Sequence, residues 1–168
     1  IGALSLGGLY LLRDRGILRN TDRQIKDLMA AGGSSEVLEV RTTDNSALLT
    51  SLSYTHDGVT WIPSEIPTYA KDAKVLTLAS GGTADAPVTL CIIRSDNNVV
   101  ALYSTDEGRS FREGRRWTFT GKYGARMKWN AENQRFEGEI RINQSGNLLW
   151  TKDGITWKLL NAPIHYFN

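Results

Sequence analysis

The feature that most constrains the fold is a short motif that occurs three times at nearly constant spacing. In each copy an aromatic and a small hydroxyl residue precede an aspartate, and a glycine and a second aromatic residue follow it. The copies occupy Tyr54–Trp61, Tyr103–Phe111 and Trp150–Trp157. Their aspartates, Asp57, Asp106 and Asp153, follow one another by 49 and 47 residues. This spacing predicts a repeated unit made of several secondary-structure elements.

The sequence ahead of each motif predicts a β-hairpin, because two β-rich runs are joined by Asp, Asn, Ser or Gly. The first runs are Val37–Arg41, Val88–Arg94 and Phe136–Ile142, and the second runs begin at Ala47, Val99 and Leu148. Lys74–Gly82 and Ala125–Asn130 each read as a further, first strand. Units of this kind that repeat every ~40 to 50 residues are typical of β-propeller blades. The predicted fold class is therefore all-β, a propeller of about four blades or part of a larger ring.

The same template can be laid on the N-terminus, where Ile1–Leu12 reads as a hairpin and Arg13–Arg19 as a degraded copy of the motif. The C-terminal Ile164–Asn168 would then supply the missing strand and close the ring. The predicted blades are 1–23 with 164–168, 24–70, 71–120 and 121–163. Residues Thr21–Ala31 stay open between a strand and a helix, since Thr21 and Gln24 form a capping-box pattern.

The three motifs resemble the Asp box, or bacterial neuraminidase repeat, of sialidases, other glycoside hydrolases, sorting receptors, photosystem assembly factors and many surface or viral proteins. Each copy reads as a turn between the third and fourth strands of a blade. We expect its aspartate to accept backbone N–H bonds, its glycine to supply an unusual backbone conformation and its aromatic residue to be buried. The resemblance implies that the boxes lie away from the catalytic face. The residues expected to act structurally are Thr55, Asp57, Gly58, Trp61, Ser104, Asp106, Gly108, Phe111, Thr151, Asp153, Gly154 and Trp157.

Arg41, Arg94 and Arg141 each end the first run of a predicted hairpin, in three successive repeats. Sialidases grip a substrate carboxylate with three arginines, because guanidinium groups match carboxylates bidentately. The resemblance therefore makes these residues ligand-binding candidates. The alternative interpretation is a solvent-facing arginine that the repeat simply reproduces. The Arg-Ile-Pro element that a sialidase also carries is absent from the sequence.

Composition excludes several other functions. The formal net charge of +2 argues against nucleic acid as a partner, and Arg112–Tyr123 reads as an exposed loop and strand. The single cysteine, Cys91, lies in an apolar run and is expected in the core, whereas His56 is expected to be solvated. Only two histidines are present, without Cys/His clusters or phosphate-binding motifs, so neither a metal site nor a cofactor is predicted.

The sequence thus favours a recognition or scaffold module that binds protein or carbohydrate through loops at the blade ends, without catalysis. Other subunits of a larger assembly are further candidate partners, and an extracellular, periplasmic or virion location is favoured. One alternative is a fragment of a sialidase-like glycoside hydrolase. Another follows from the chain starting at Ile1 rather than Met: a three-bladed β region after a truncated membrane anchor.

Overall fold

The computed structural model describes residues 36–160, which fold into three antiparallel sheets. The first sheet contains β1 (Glu39–Thr42), β2 (Leu52–Thr55) and β3 (Trp61–Pro63). The second contains β4 (Lys74–Gly82), β5 (Pro87–Ser95), β6 (Asn98–Ser104) and β7 (Arg112–Thr118). The third contains β8 (Gly124–Asn130), β9 (Arg135–Arg141), β10 (Gly146–Thr151) and β11 (Lys158–Leu159). The all-β prediction is confirmed for these residues.

Each sheet is a meander in which every strand pairs with the next one along the chain. The predicted first strand Lys74–Gly82 coincides with β4, and the predicted strand Ala125–Asn130 lies within β8. The three sheets lie inside the segments 24–70, 71–120 and 121–163. The N-terminal hairpin, the degraded motif, the segment Thr21–Ala31 and the C-terminal closing strand all lie outside the described residues.

One predicted strand is wrong in part. The run that begins at Ala47 was expected to be extended, but Leu49–Ser51 forms a 3-10 turn before β2 begins at Leu52. The Asp44 carboxylate accepts the N–H of Leu48, and the N–H of Leu49 donates to the carbonyl of Ala73 just before β4. The first bond closes the turn locally, and the second ties it to the loop that enters the second sheet.

The second sheet is buried on both faces, which places it between the other two. Leu90 and Ile92 face one way and pack with Phe136 of the third sheet. Cys91 and Ile93 face the other way and pack with Leu52 of the first sheet. Alternate residues of a strand point to opposite faces, so the uninterrupted apolar run of β5 is what a doubly covered strand requires.

The sheets are also joined at their edges. The first strands of the second and third sheets run side by side: a Cβ on Gly81 of β4 would overlap the ring of Trp129 in β8. The chain after β3 crosses to the second sheet, where the Ser64 hydroxyl donates to the carbonyl of Gly108 at 2.7 Å. Glu65 then hydrogen-bonds through its backbone with Arg109 and Phe111.

Gly108 allows us to measure how tightly the first two sheets are packed. Its φ is +94°, and an added Cβ would overlap a Val40 methyl group, whereas Gly121, with φ +83°, has open space around it. We expect Gly108→Ala to lower the free energy of unfolding by about 3 kcal/mol and Gly121→Ala by about 1 kcal/mol, because only the first adds a steric clash to the backbone strain. Urea unfolding measures both.

The double variant Gly108→Ala/Val40→Ala separates the two contributions. Removing the Val40 methyl groups relieves the clash, so the substitution at Gly108 should become less destabilising in that background. Equal losses of stability for the two single glycine variants would contradict this packing of the first sheet on the second.

Candidate functional site

Each copy of the repeated motif, called a box from here on, joins the last two described strands of its sheet. The boxes follow β2, β6 and β10 and lead into β3, β7 and β11. In the second and third sheets this is the connection between the third and fourth strands. The boxes therefore share one end of the sheets, and the β5–β6 and β9–β10 turns lie at the opposite end.

Inside each box the small hydroxyl residue and the aspartate form a closed set of hydrogen bonds. The hydroxyl oxygens of Thr55, Ser104 and Thr151 accept the N–H of the box glycine at 2.9, 2.8 and 2.8 Å. The same hydroxyls approach the aspartate Oδ1 at 3.1, 2.7 and 3.3 Å. All three hydroxyl residues are buried. These side chains are engaged within their own turn.

The aspartate of each box accepts hydrogen bonds from the backbone that follows it. Asp57 Oδ1 accepts the N–H groups of Val59 and Thr60 at 2.8 Å each. Asp153 accepts the corresponding pair from Ile155 and Thr156. Asp106 accepts the Ser110 N–H and, through its other oxygen, the Ser110 hydroxyl. Both oxygens are thus used in the second box, which is one residue longer.

The glycines shape the turns of the boxes, and two of the three aromatic residues connect their turn to the sheet before it. Gly58, Gly108 and Gly154 have φ values of 79°, 94° and 84°, a region that glycine adopts without strain. Phe111 is buried in the core shared with the first sheet, and Trp157 in the core shared between the second and third sheets. Trp61 is half-buried, with the Arg41 guanidinium 4.1 Å from its ring centre.

Burial and hydrogen bonding oppose each other at two of the box carboxylates. Partial burial acts to raise the pKa of Asp106, but hydrogen bonds from Ser110 and Ser104 outweigh it and hold that pKa below its usual value. At Asp153 burial also acts to raise the pKa, and the N–H groups of Thr156 and Ile155 lower it further than burial raises it. Both carboxylates are therefore stabilised as anions.

The three candidate arginines are not equivalent in the structure. The aromatic residue that starts the box pairs with Leu90 in the second sheet and with Glu137 in the third. Arg94 lies four residues after Leu90, and Arg141 lies four residues after Glu137. In the first sheet the partner is Val40, so Arg41 lies only one residue beyond it. Arg41 is thus three residues nearer the box than Arg94 and Arg141 are. Because successive side chains of a strand point to opposite faces, Arg41 lies on the other face of its sheet.

Arg94 and Arg141 come to the same neighbourhood, whereas Arg41 does not. Arg94 approaches Asp72 at 3.5 Å, and its guanidinium lies 5.5 Å from the ring centre of Tyr123. Tyr123 in turn lines a cleft together with Arg141. The repeat thus delivers two of its three arginines to the end of the sheets opposite the boxes.

The cleft itself has a volume of about 570 Å³ and opens where the chain enters the third sheet. Its lining residues are Gly121, Lys122, Tyr123, Gly124, Ala125, Arg126, Glu139 and Arg141. Glu139 lies between two arginines, 3.5 Å from Arg141 and 3.9 Å from Arg126. A single carboxylate thus holds two guanidinium groups that remain partly exposed, which leaves a surplus of positive charge facing the opening.

The cleft continues into the outer face of the third sheet, which we call the charged face. Cross-strand pairing places the following side chains on it: Arg126 and Lys128 of β8, Arg135, Glu137, Glu139 and Arg141 of β9, Leu148 and Trp150 of β10, and Lys158 of β11. Its cations clearly outnumber its two carboxylates, in a chain whose formal net charge is only +2. The sequence analysis missed this face, although charges at every second position of β8 and β9 are its signal.

Other chemistry-bearing side chains are occupied elsewhere. Cys91 is fully buried as expected, and burial raises the pKa of its thiol to about 12, which makes it a poor nucleophile. The expectation that His56 is solvated is wrong: the residue is buried, its Nδ1 lies 2.9 Å from the Glu36 carbonyl, and its ring packs edge-on against Tyr54. Within residues 36–160 no group of His, Cys, Asp and Glu is arranged to hold a metal ion.

Arg112–Tyr123, the basic and aromatic segment, forms β7 and the loop that leads to the cleft. Among the described residues, no helix combines the length and the apolarity that crossing a membrane would require. Comparison of the sequence with protein-family models and with curated proteins found no match. The function therefore has to be inferred from the site itself.

The lowered pKa values of Asp106 and Asp153 predict a specific acid sensitivity. The folded protein binds these protons less tightly than the unfolded chain, so the stabilisation is complete above the ordinary value near 3.8 and is lost as the pH falls through the lowered pKa. Replacing both with Asn should lower stability at pH 7 by about 2 kcal/mol per site. It should also flatten the fall in stability below about pH 4.

Urea unfolding at several pH values between 2 and 7 measures this effect. Asp85→Asn, in the exposed hairpin between β4 and β5, is the matched control and should leave the profile unchanged. If the double Asn variant keeps the wild-type dependence of unfolding free energy on pH, the box carboxylates are not the source of that dependence.

Proposed function

We propose that this chain is a non-catalytic recognition module built from propeller-type Asp-box blades, and that it binds carboxylate-bearing protein or carbohydrate ligands at the cleft. The observation that carries the proposal is the cleft's position and charge. Lys122, Arg126 and Arg141 surround Tyr123 at the end of the sheets opposite the boxes. Loops at the sheet ends vary without disturbing the cores, so ligand-binding residues commonly lie there.

The geometry of the arginines suits a carboxylate. Arg126 and Arg141 retain 60% and 36% of their side-chain exposure while Glu139 holds both. A guanidinium that is already oriented loses less freedom when it forms a bidentate pair with a ligand. Tyr123 is exposed and offers a flat apolar surface beside the charges, which is useful for either a sugar ring or a peptide.

The propeller interpretation rests on how the sheets are arranged. Each described sheet is a meander, the boxes recur at the same connection, and the first strands β4 and β8 lie next to each other. Sheets that repeat radially around an axis have these properties. Two separate apolar cores between successive sheets further support blades rather than a single sandwich.

Binding of acidic ligands to cleft variants tests the proposed function. The probes are an oligosaccharide of glucuronic acid, a glutamate-rich peptide, and neutral counterparts of equal length. We expect the acidic probes alone to bind, and Arg141→Gln or Lys122→Gln to weaken binding about tenfold through loss of one charge-assisted contact. Fluorescence anisotropy at low and physiological salt measures the affinity.

Lys71→Gln is the matched control, because Lys71 is an exposed cation in the loop before β4 and does not line the cleft. Equal binding of neutral probes, or full affinity in Arg141→Gln, would contradict the cleft as the site. Arg94 and Arg141 occupy the same register position in their two sheets. A sialidase-like activity that uses them is therefore the second candidate function. Turnover of fluorogenic sialosides that Arg94→Ala abolishes would establish that activity instead.

A further inference from the structure

The second and third sheets use equivalent positions for opposite purposes. In the second sheet, Leu90 and Ile92 of β5 pack into the core shared with the next sheet along the chain. When the two sheets are aligned on the aromatic residue that starts each box, Leu90 and Ile92 correspond to Glu137 and Glu139 of β9. The positions that would contact a following sheet are therefore apolar in the second sheet and charged in the third.

The neighbouring strands of the third sheet continue this pattern. Val99 of β6, which belongs to the core, corresponds to Gly146 of β10. Arg126 and Lys128 of β8 lie on the same face and are exposed. Covering them with another apolar sheet would remove charges from water without replacing their hydration, which is strongly unfavourable.

We propose that the charged face is a docking surface for an extended acidic segment of a partner polypeptide. The proposal rests on the proposed function of the cleft and names its ligand. The segment begins at the cleft beside Arg141 and runs along β8, past Arg126 and Lys128, towards Arg135 at the far end of β9. An acidic polypeptide is complementary to a surface on which cations outnumber carboxylates.

The spacing of the cations matches that of alternate side chains in an extended peptide. Arg126 and Lys128 are two residues apart on β8, and alternate residues of a strand are about 6.8 Å apart. Alternate side chains of an extended peptide have the same spacing, so acidic residues at every second position would match these cations. The six residue steps from Arg135 to Arg141 span about 20 Å, the length of about six extended residues.

The far end of the charged face is held rigid by a buried carboxylate. Glu137 accepts hydrogen bonds from Arg135 at 2.6 Å and from Asn130 at 2.9 Å. Partial burial acts to raise the pKa of Glu137, but these donors lower it further, so the group stays ionised and neutralised by its neighbours. Arg135 is thereby fixed 4.6 Å from the ring centre of Trp150, and Lys158 lies 5.3 Å from the same ring.

Two peptides of identical composition test the spacing. One alternates glutamate and threonine over six residues, and the other has three glutamates followed by three threonines. We expect the alternating peptide to bind about fivefold more tightly at physiological salt, because all three of its carboxylates lie on one side of the extended chain, whereas one of the clustered peptide's three lies on the other side. Equal affinity for the two peptides, or tighter binding of the clustered one, would overturn the proposal.

Charge reversals locate the binding surface. Lys128→Glu and Lys158→Glu, which lie on the charged face outside the cleft lining, should each weaken binding of the alternating peptide about tenfold. Lys71→Glu carries the same charge change away from the face and should leave the affinity unchanged. Unfolding midpoints in urea confirm that each variant is folded. Full affinity in both face variants would overturn the proposal.

The outcomes separate this inference from the function on which it rests. If only Arg141→Gln weakens the peptide, the cleft binds carboxylates but the ligand does not extend along the sheet, and the inference fails alone. Binding of the glucuronic acid oligosaccharide or of single-stranded DNA in place of the peptide overturns it as well. If no acidic probe binds the wild-type protein, the proposed function and the inference fail together.

Discussion

Burial of the second sheet on both faces is the constraint on which the rest of the described structure depends. Residues at alternate positions of β5 and β6 enter two different cores, so the same strands hold the first and the third sheet in place. Full burial also explains why the thiol of Cys91 is protected, since its charged form would lose its hydration there. The arrangement requires strands that are apolar without interruption, and the sequence of β5 provides them.

The three boxes solve a different problem, which is how to end a hairpin next to a neighbouring sheet. Their hydroxyls and carboxylates accept N–H groups of the turn from within. The second box is also held from outside, by the Ser64 hydroxyl on the Gly108 carbonyl and by the Glu65 backbone. The adjoining sheet receives the apolar aromatic residue, as Phe111 and Trp157 show. Because the boxes fix one end of the sheets, the loops at the other end can differ from one sheet to the next, and the cleft lies there.

The third sheet keeps the strand order of the second but differs from it in the residues of one face. Its inner face keeps the apolar residues that pack on the second sheet, while its outer face exchanges them for a network of arginines, lysines and glutamates. Because the side-chain period of a strand is two, the two faces can change independently. The two sheets therefore differ in the charge of this face while each keeps its box between the third and fourth strands.

The sequence by itself determined the strand content, the hairpins and the position of each box, because turn residues and β-rich runs act over short distances along the chain. It also placed Cys91 in the core. Only the tertiary structure decided which residues share a surface. It separated Arg41 from Arg94 and Arg141 through strand register, buried His56 against Tyr54, and gathered Lys122, Arg126 and Arg141 around one cleft. These outcomes depend on cross-strand pairing and on contacts between sheets, which a linear pattern of residues does not specify.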